Sequence, residues 1–262
     1  MNSKIDYFIE KKLKSISLHP ESDQNALNIH IWYCDILSIL RTLFDMENNP
    51  YFAEDYNILQ NKTIHGNDFS INFLSGPELA ALNKFKSFKK QIEWLSGRFL
   101  LKVCLSCFVD DFMGYNAKKD KSDKLNKIYI DYEKEGAPFL SDFPGYRISL
   151  SHSGGLTGFA VCLNKDKNIG IDIEKFRKKP DENFLKIAFT QKERDNLDGT
   201  MEDVLKNWTR KEAFLKYIKK GFNEDLHKVE IIGNKVLHNN NDAKVRIYSE
   251  IINNNYMFSI VY

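Results

Sequence analysis

Apolar and polar positions along this chain follow two periods, and the sharpest instance of the shorter one is Ile169-Gly-Ile-Asp-Ile-Glu174. A period of two places Ile169, Ile171 and Ile173 on one face of a strand and Gly170, Asp172 and Glu174 on the other. Neighbours on one face lie about 7 Å apart, near enough to share a cation and awkwardly close for two unpaired anions. The six residues alone leave two readings open: the solvated face of an antiparallel strand, or half of a metal site.

The same period predicts strands over residues 28–37, Lys127–Tyr132, Tyr146–Leu150, Thr157–Leu163 and Asn168–Glu174. Three or four more strands, separated by Gly and Asn turns, follow between Lys228 and Tyr262. The longer period predicts a short amphipathic helix near the N-terminus, followed by a polar linker; residues 1–27 read as an extension to the fold. A helical stretch opens at Leu74-Ser-Gly-Pro-Glu78. There Ser75 is an N-cap, Pro77 suits the first turn, and Glu78 completes a capping box. It runs, with a break near Ser87, to about Val109. A second box, Thr190-Gln-Lys-Glu193, opens another helix, and Asp203–Phe222 is a third, with Gly221 as its C-cap. Residues 114–127, rich in Lys and Asp, read as a solvated loop, and residues 50–72 show no assignable period. The fold class is α+β.

Composition narrows the possible functions. A chain of 262 residues, 42% hydrophobic, can bury a large core as one long domain or two smaller ones. Lys+Arg 38 against Asp+Glu 36 leaves a net +2, which argues against nucleic-acid or membrane partners drawn by an overall field. No apolar run reaches signal-peptide or membrane-span length, so the expected compartment is the cytoplasm. Cys104 and Cys107 form a C-x-x-C inside the apolar helical run from Phe99 to Val109. No second Cys or His pair stands at zinc-ligand spacing, and the cysteines read as core thiols.

Laying the two halves together reveals a repeat. Leu74-Ser-Gly-Pro-Glu-Leu-Ala-Ala-Leu82 matches Phe189-Thr-Gln-Lys-Glu-Arg-Asp-Asn-Leu197, and each is followed by a Trp (Trp94, Trp208) with a Lys eight positions on (Lys102, Lys216). Upstream, Ile29-His-Ile-Trp-Tyr-Cys pairs with the opening hexapeptide. This predicts a pseudo-two-fold duplication of an α+β unit, with halves 28–165 and 166–262 and a site in the cleft between them. The copies differ in chemistry: Asp172 and Glu174 correspond to Trp32 and Cys34, and Glu212 to Arg98.

On the third helix, Val204, Trp208, Leu215 and Ile218 share one stripe, and Glu212 falls on or beside it. An ordinary Glu212–Lys216 surface pair would explain the spacing. An acid on a core-facing stripe needs a partner, however, and a cation shared with Asp172 and Glu174 would supply one. Three carboxylates without His or thiolate favour Mg²⁺ or Mn²⁺ over Zn²⁺.

Gly170-Ile-Asp-Ile-Glu174 followed by Trp208-x-x-Lys-Glu-Ala-Phe-x-Lys216 resembles the paired signature of the 4′-phosphopantetheinyl transferases. Gly136-Ala-Pro-Phe-Leu resembles that family's Gly-Lys-Pro loop, and Ser149-Leu-Ser-His-Ser-Gly154 its Ser-His-Ser segment. Ile29-His-Ile-Trp32 and the stretch from Phe85 to Leu101 resemble its first strand and first-half helix. The likeness covers roughly residues 28–250, in the two-copy, monomeric Sfp-like arrangement. It implies a 4′-phosphopantetheinyl transferase-like fold. It also implies transfer of 4′-phosphopantetheine from coenzyme A to a serine of an apo acyl or peptidyl carrier protein, releasing 3′,5′-ADP. By the same resemblance Asp172, Glu174 and Glu212 hold Mg²⁺, Glu212 and Lys216 are catalytic, and Lys84, Arg98, Pro138, Ser151, His152 and Lys216 bind coenzyme A. Two positions depart from the pattern. Ala137 stands where the loop lysine belongs, and Ala81 where an early helix base is expected, so that Lys84 or Lys86 takes its place. The rival readings are a Mg²⁺-dependent nuclease, which would want a broad basic groove, and an inactive carrier-protein-binding module.

Overall fold

The computed structural model describes residues 2–18, 28–44, 73–108, 122–177 and 181–262. The unassigned stretch 50–72, most of the N-terminal linker and residues 114–121 of the expected loop lie outside them. In chain order the first elements are α1 (Asn2–Lys11), β1 (Lys14–Ile16), β2 (Ile29–Asp35), α2 (Ile36–Phe44), α3 (Gly76–Leu82) and α4 (Phe88–Phe108). Then come β3 (Ile130–Tyr132), β4 (Pro138–Leu140), β5 (Arg147–Ser153), β6 (Leu156–Cys162) and β7 (Gly170–Lys175). The last are α5 (Glu182–Ala188), α6 (Gln191–Asn196), α7 (Met201–Tyr217), β8 (Val229–Ile232), β9 (Lys235–His238), β10 (Asn241–Asp242), β11 (Ile247–Ile252) and β12 (Tyr256–Val261). The class is mixed α+β. Among the described residues no helix is long and apolar enough to cross a membrane.

The described residues form two compact units. One comprises the N-terminal segment to Ile16, Ile31–Tyr129 and Gly155–Phe159; the other comprises Ile130–Gly154 and Ala160–Tyr262, with Asn28–His30. In the first, α4 is buried on nearly every side from Phe88 to Leu105, as a helix through the middle of a core must be. The Phe99 ring meets Phe8 and Phe73 edge-on, each at 5.4 Å. The N-terminal segment is part of this core: Ile5 and Phe8 are buried, and β1 pairs antiparallel with β2. The strand expected to reach Leu37 stops at Asp35, because the Asp35 carboxylate accepts the Ser38 N–H at 3.0 Å and caps α2. Cys104 is wholly buried and burial pushes its thiol well above the ordinary value, in keeping with a core thiol. Part of the expected solvated loop is ordered as a 3-10 turn, Ser122–Lys127, which buries Leu125.

In the second unit β7, β12 and β11 form an antiparallel sheet, with Asp172 opposite Ser259 and Glu174 opposite Met257. β8, β9 and β10 form another, and β3 and β4 a hairpin. α7, capped by the Thr200 hydroxyl, packs on β7 and β12. Its residues Ala213, Phe214 and Leu215 share a core with Val229, Ile231, Val236 and Val261. The helix ends four residues before the expected glycine cap. Lys219 takes the left-handed conformation, φ 59°. The Lys219 N–H then donates to the Lys216 carbonyl at 3.0 Å and the Lys220 N–H to the Leu215 carbonyl at 3.1 Å, a Schellman closure without glycine.

Both expected capping boxes form, and each recruits a buried lysine. The Ser75 N–H donates to Glu78 Oε2 at 2.9 Å, and Lys102 Nζ donates to the same oxygen at 2.6 Å and to the Phe73 carbonyl at 2.9 Å. The Thr190 N–H donates to Glu193 Oε2 at 2.8 Å, and Lys211 Nζ donates to that oxygen at 2.6 Å and to the Ala188 carbonyl at 2.9 Å. Phe73 and Ala188 each lie two residues before their cap. The geometry therefore matches Lys102 with Lys211, where sequence alignment matched it with Lys216.

Candidate metal centre

Gly170 determines how α7 meets β7. A Cβ there would lie inside the Ala213 carbonyl oxygen and against the Tyr217 N–H, so only glycine lets the helix backbone settle on this face of the strand. The face shared by Gly170, Asp172 and Glu174 is consequently covered by α7. Asp172 is 2% exposed, which overturns the solvated-strand reading. The close approach also brings Glu212 and Lys216 of α7 over the strand's carboxylates.

Asp172, Glu174 and Glu212 each present a carboxylate oxygen within 4.8 Å of the others. Lys216 Nζ donates to Asp172 Oδ1 at 2.8 Å. Asp172 Oδ2 is buried with no hydrogen-bond partner, a costly arrangement for a carboxylate oxygen. Burial, then the charge of Asp172, push Glu212 up to about 8. Burial and Asp172 raise Glu174 in the same direction. Three carboxylates against one ammonium leave two negative charges when all are ionised. The orphaned oxygen and the all-oxygen donor set fit a hard divalent cation such as Mg²⁺ or Mn²⁺.

Hydroxyls on β5 hold the strand from its other edge. Ser151 Oγ donates to Asp172 Oδ1 at 2.8 Å and Ser153 Oγ to Glu174 Oε2 at 2.6 Å. Lys175 flanks the site, its side chain packed where a Cβ on Gly154 would fall.

Beside the triad opens a cavity of about 500 Å³, lined within the second unit by Ala137 and Pro138 of the β3–β4 hairpin, by Ser149 and Leu150, and by Glu212 and Lys216. Arg147 and Lys219 add two cations to its wall, and Lys219 is ion-paired with Glu133 of the hairpin.

Of the residues singled out from sequence, the structure brings Asp172, Glu174, Glu212, Lys216 and Ser151 into direct contact or close approach, with Pro138 on the same cavity. His152 projects from β5 on the face opposite Ser151 and Ser153 and is exposed. Lys84 is exposed just beyond α3, in the first unit. Arg98, also there, is 2% exposed, with its Nε 3.4 Å from Glu78 Oε1 and its guanidinium 4.1 Å from the Trp94 ring centroid. Sequence reasoning passed over Ser153, Lys219 and Lys211. Lys211 had a signal: it occupies the missing position of the stripe Val204, Trp208, Leu215, Ile218, where a lysine can be buried only against a carboxylate.

No curated protein matches the chain. Residues 168–260, which hold the three carboxylates, Lys211 and Lys216, match the family model of the 4′-phosphopantetheinyl transferase superfamily.

Proposed function

We propose that the protein transfers 4′-phosphopantetheine from coenzyme A to a serine of an apo acyl or peptidyl carrier protein, with Mg²⁺, releasing 3′,5′-ADP. The observation that carries this reading is the triad of buried Asp172 with the partly buried Glu174 and Glu212, together with its orphaned oxygen and Lys216, inside the matched stretch. A Mg²⁺ held by the three carboxylates would neutralise charge on the phosphate under attack and on the leaving group. Glu212 would take the serine proton as a general base, directly or through a water. Lys216 steadies phosphate charge as a point cation.

The adjoining cavity is of a size that takes small ligands and sets the cations Arg147, Lys216 and Lys219 beside the carboxylates Glu133, Glu135 and Glu212 and an apolar wall, which suits a phosphate-bearing ligand with an apolar arm that brings a divalent cation with it. Ala137 stands where the Gly-Lys-Pro pattern has its lysine, and Lys219, reaching the same cavity from the end of α7, supplies a cation there. The remaining coenzyme A contacts in this reading are Lys84, Arg98, Pro138, Ser151 and His152. Of these, Pro138 lines the cavity, while Arg98 and Ser151 are engaged with Glu78 and Asp172. The recurring cap-and-lysine device supports a duplicated α+β unit. The protein acts, in this reading, as a cytoplasmic monomer.

Mass spectrometry of an apo carrier protein incubated with the protein, coenzyme A and Mg²⁺ tests the proposal. Addition of one phosphopantetheine, abolished by EDTA and by Glu212→Gln, is the expected result. Failure with several carriers, accompanied by cleavage of DNA or RNA, would replace it with a nuclease; carrier binding without either activity would leave an inert binding module.

A further inference from the structure

We infer that Ser151 and Ser153 are positioning residues that fix the orientation of the Asp172 and Glu174 carboxylates, occupying one oxygen of each and leaving the other for a cation. The inference rests on reading these carboxylates as metal ligands, and not on the reaction they serve. β7 pairs with β12 along one edge. Along the other, the N–H groups of Ile171, Ile173 and Lys175 donate to the hydroxyls of Ser149, Ser151 and Ser153, at 3.0, 3.1 and 3.3 Å. Serine oxygens thus stand where a neighbouring strand's carbonyls would in an ordinary ladder.

The substitution has a chemical consequence. A carbonyl can accept an N–H but has no proton to give, whereas a hydroxyl does both. Ser151 accepts from Ile173 and gives its proton to Asp172 Oδ1; Ser153 accepts from Lys175 and gives its proton to Glu174 Oε2. The third rung, Ser149, accepts from Ile171 beside Gly170, which has no carboxylate to hold. The serines and the β7 residues share the period of two, so each hydroxyl serves one N–H and the carboxylate just before it. Asp172 Oδ1 therefore carries two donors, Ser151 and Lys216, while Oδ2 carries none. Turning the carboxylate out of this plane would break both bonds, so the two donors fix its orientation and keep one oxygen unpartnered.

The test is Mn²⁺ binding to the full chain without coenzyme A, followed by calorimetry or electron paramagnetic resonance, with thermal unfolding of each variant in EDTA alongside. Ser149→Ala breaks one rung and serves as the internal control. It should lower the melting temperature about as much as Ser151→Ala yet leave Mn²⁺ affinity within about twofold, whereas Ser151→Ala and Ser153→Ala should each weaken it about tenfold. Ser151→Thr, which keeps the hydroxyl, should restore affinity. If Ser151→Ala does not fold, Ser153→Ala at the strand end decides alone. Unchanged affinity in the serine-to-alanine variants, equal weakening by Ser149→Ala, or a wild-type chain that binds no Mn²⁺ would each overturn the inference. Serine-dependent Mn²⁺ binding by a protein that modifies no carrier would instead refute the transfer reading and leave this inference standing.

Discussion

Glu212 shows how burial turns a surface-forming residue into a chemical one. Its carboxyl, raised from the ordinary 4.5 to about 8, remains protonated in the folded, metal-free protein over a range where the unfolded chain has ionised. The folded state therefore loses stability as pH rises from about 4.5 to about 8, by up to ~1.4 kcal/mol for each pH unit crossed, and is affected no further above that. Glu174 is raised in the same sense, so the slope belongs to the cluster. Glu212→Gln should melt higher than the wild type at pH 8 in EDTA, and the difference should close near pH 4.5. Mg²⁺ at pH 8 should raise the wild-type melting temperature and leave the variant's nearly unchanged. Identical melting curves at pH 8, with and without the substitution, would show that Glu212 is not a strained acid.

At the scale of elements, the site depends on how closely α7 lies on β7. Gly170→Ala pushes a methyl into the helix backbone, and overpacking of this kind costs about 1–3 kcal/mol. Because the helix must move, Glu212 and Lys216 move with it. Mn²⁺ affinity and any transfer activity should fall at least tenfold, more than the stability loss accounts for; denaturant unfolding beside a metal titration would separate the two. The other end of α7 poses a different question. Lys219 holds a left-handed φ that costs a side chain roughly 1 kcal/mol and glycine almost nothing. Lys219→Gly should therefore be about 1 kcal/mol more stable than Lys219→Ala. Both should raise KM for coenzyme A several-fold, since both remove one of the cavity's cations. Equal stabilities would mean that the backbone carries no strain there, and an unchanged KM would remove Lys219 from the binding set.

Across the whole molecule, each unit closes its own core with a capped helix and a buried lysine. The triad, the serine ladder and the cavity are all built from residues of the second unit. Lys102→Met leaves the buried Glu78 carboxylate without its 2.6 Å partner. Breaking such a pair costs about 3–5 kcal/mol, yet Mn²⁺ affinity should stay at the wild-type value, and a tenfold loss would show that the second unit does not hold the site alone. The features legible from sequence were those set by neighbours a few residues apart. They are the period of two that placed Asp172 and Glu174 together, the Ser75 and Thr190 capping boxes, the helical stripe from Val204 to Ile218, and the Asn turns of the C-terminal strands. Each rests on a bond or a face closed within one turn, so the residues themselves decide it. Tertiary structure alone decided what depends on distant partners. Burial of Asp172 requires α7 to lie on Gly170. The lysine that meets each capping carboxylate lies 24 residues on in one unit and 18 in the other. The hydroxyls that orient the two strand acids come from 21 residues upstream. An alternating pattern says which side chains share a face; only the packing against that face determines whether it meets water or a metal.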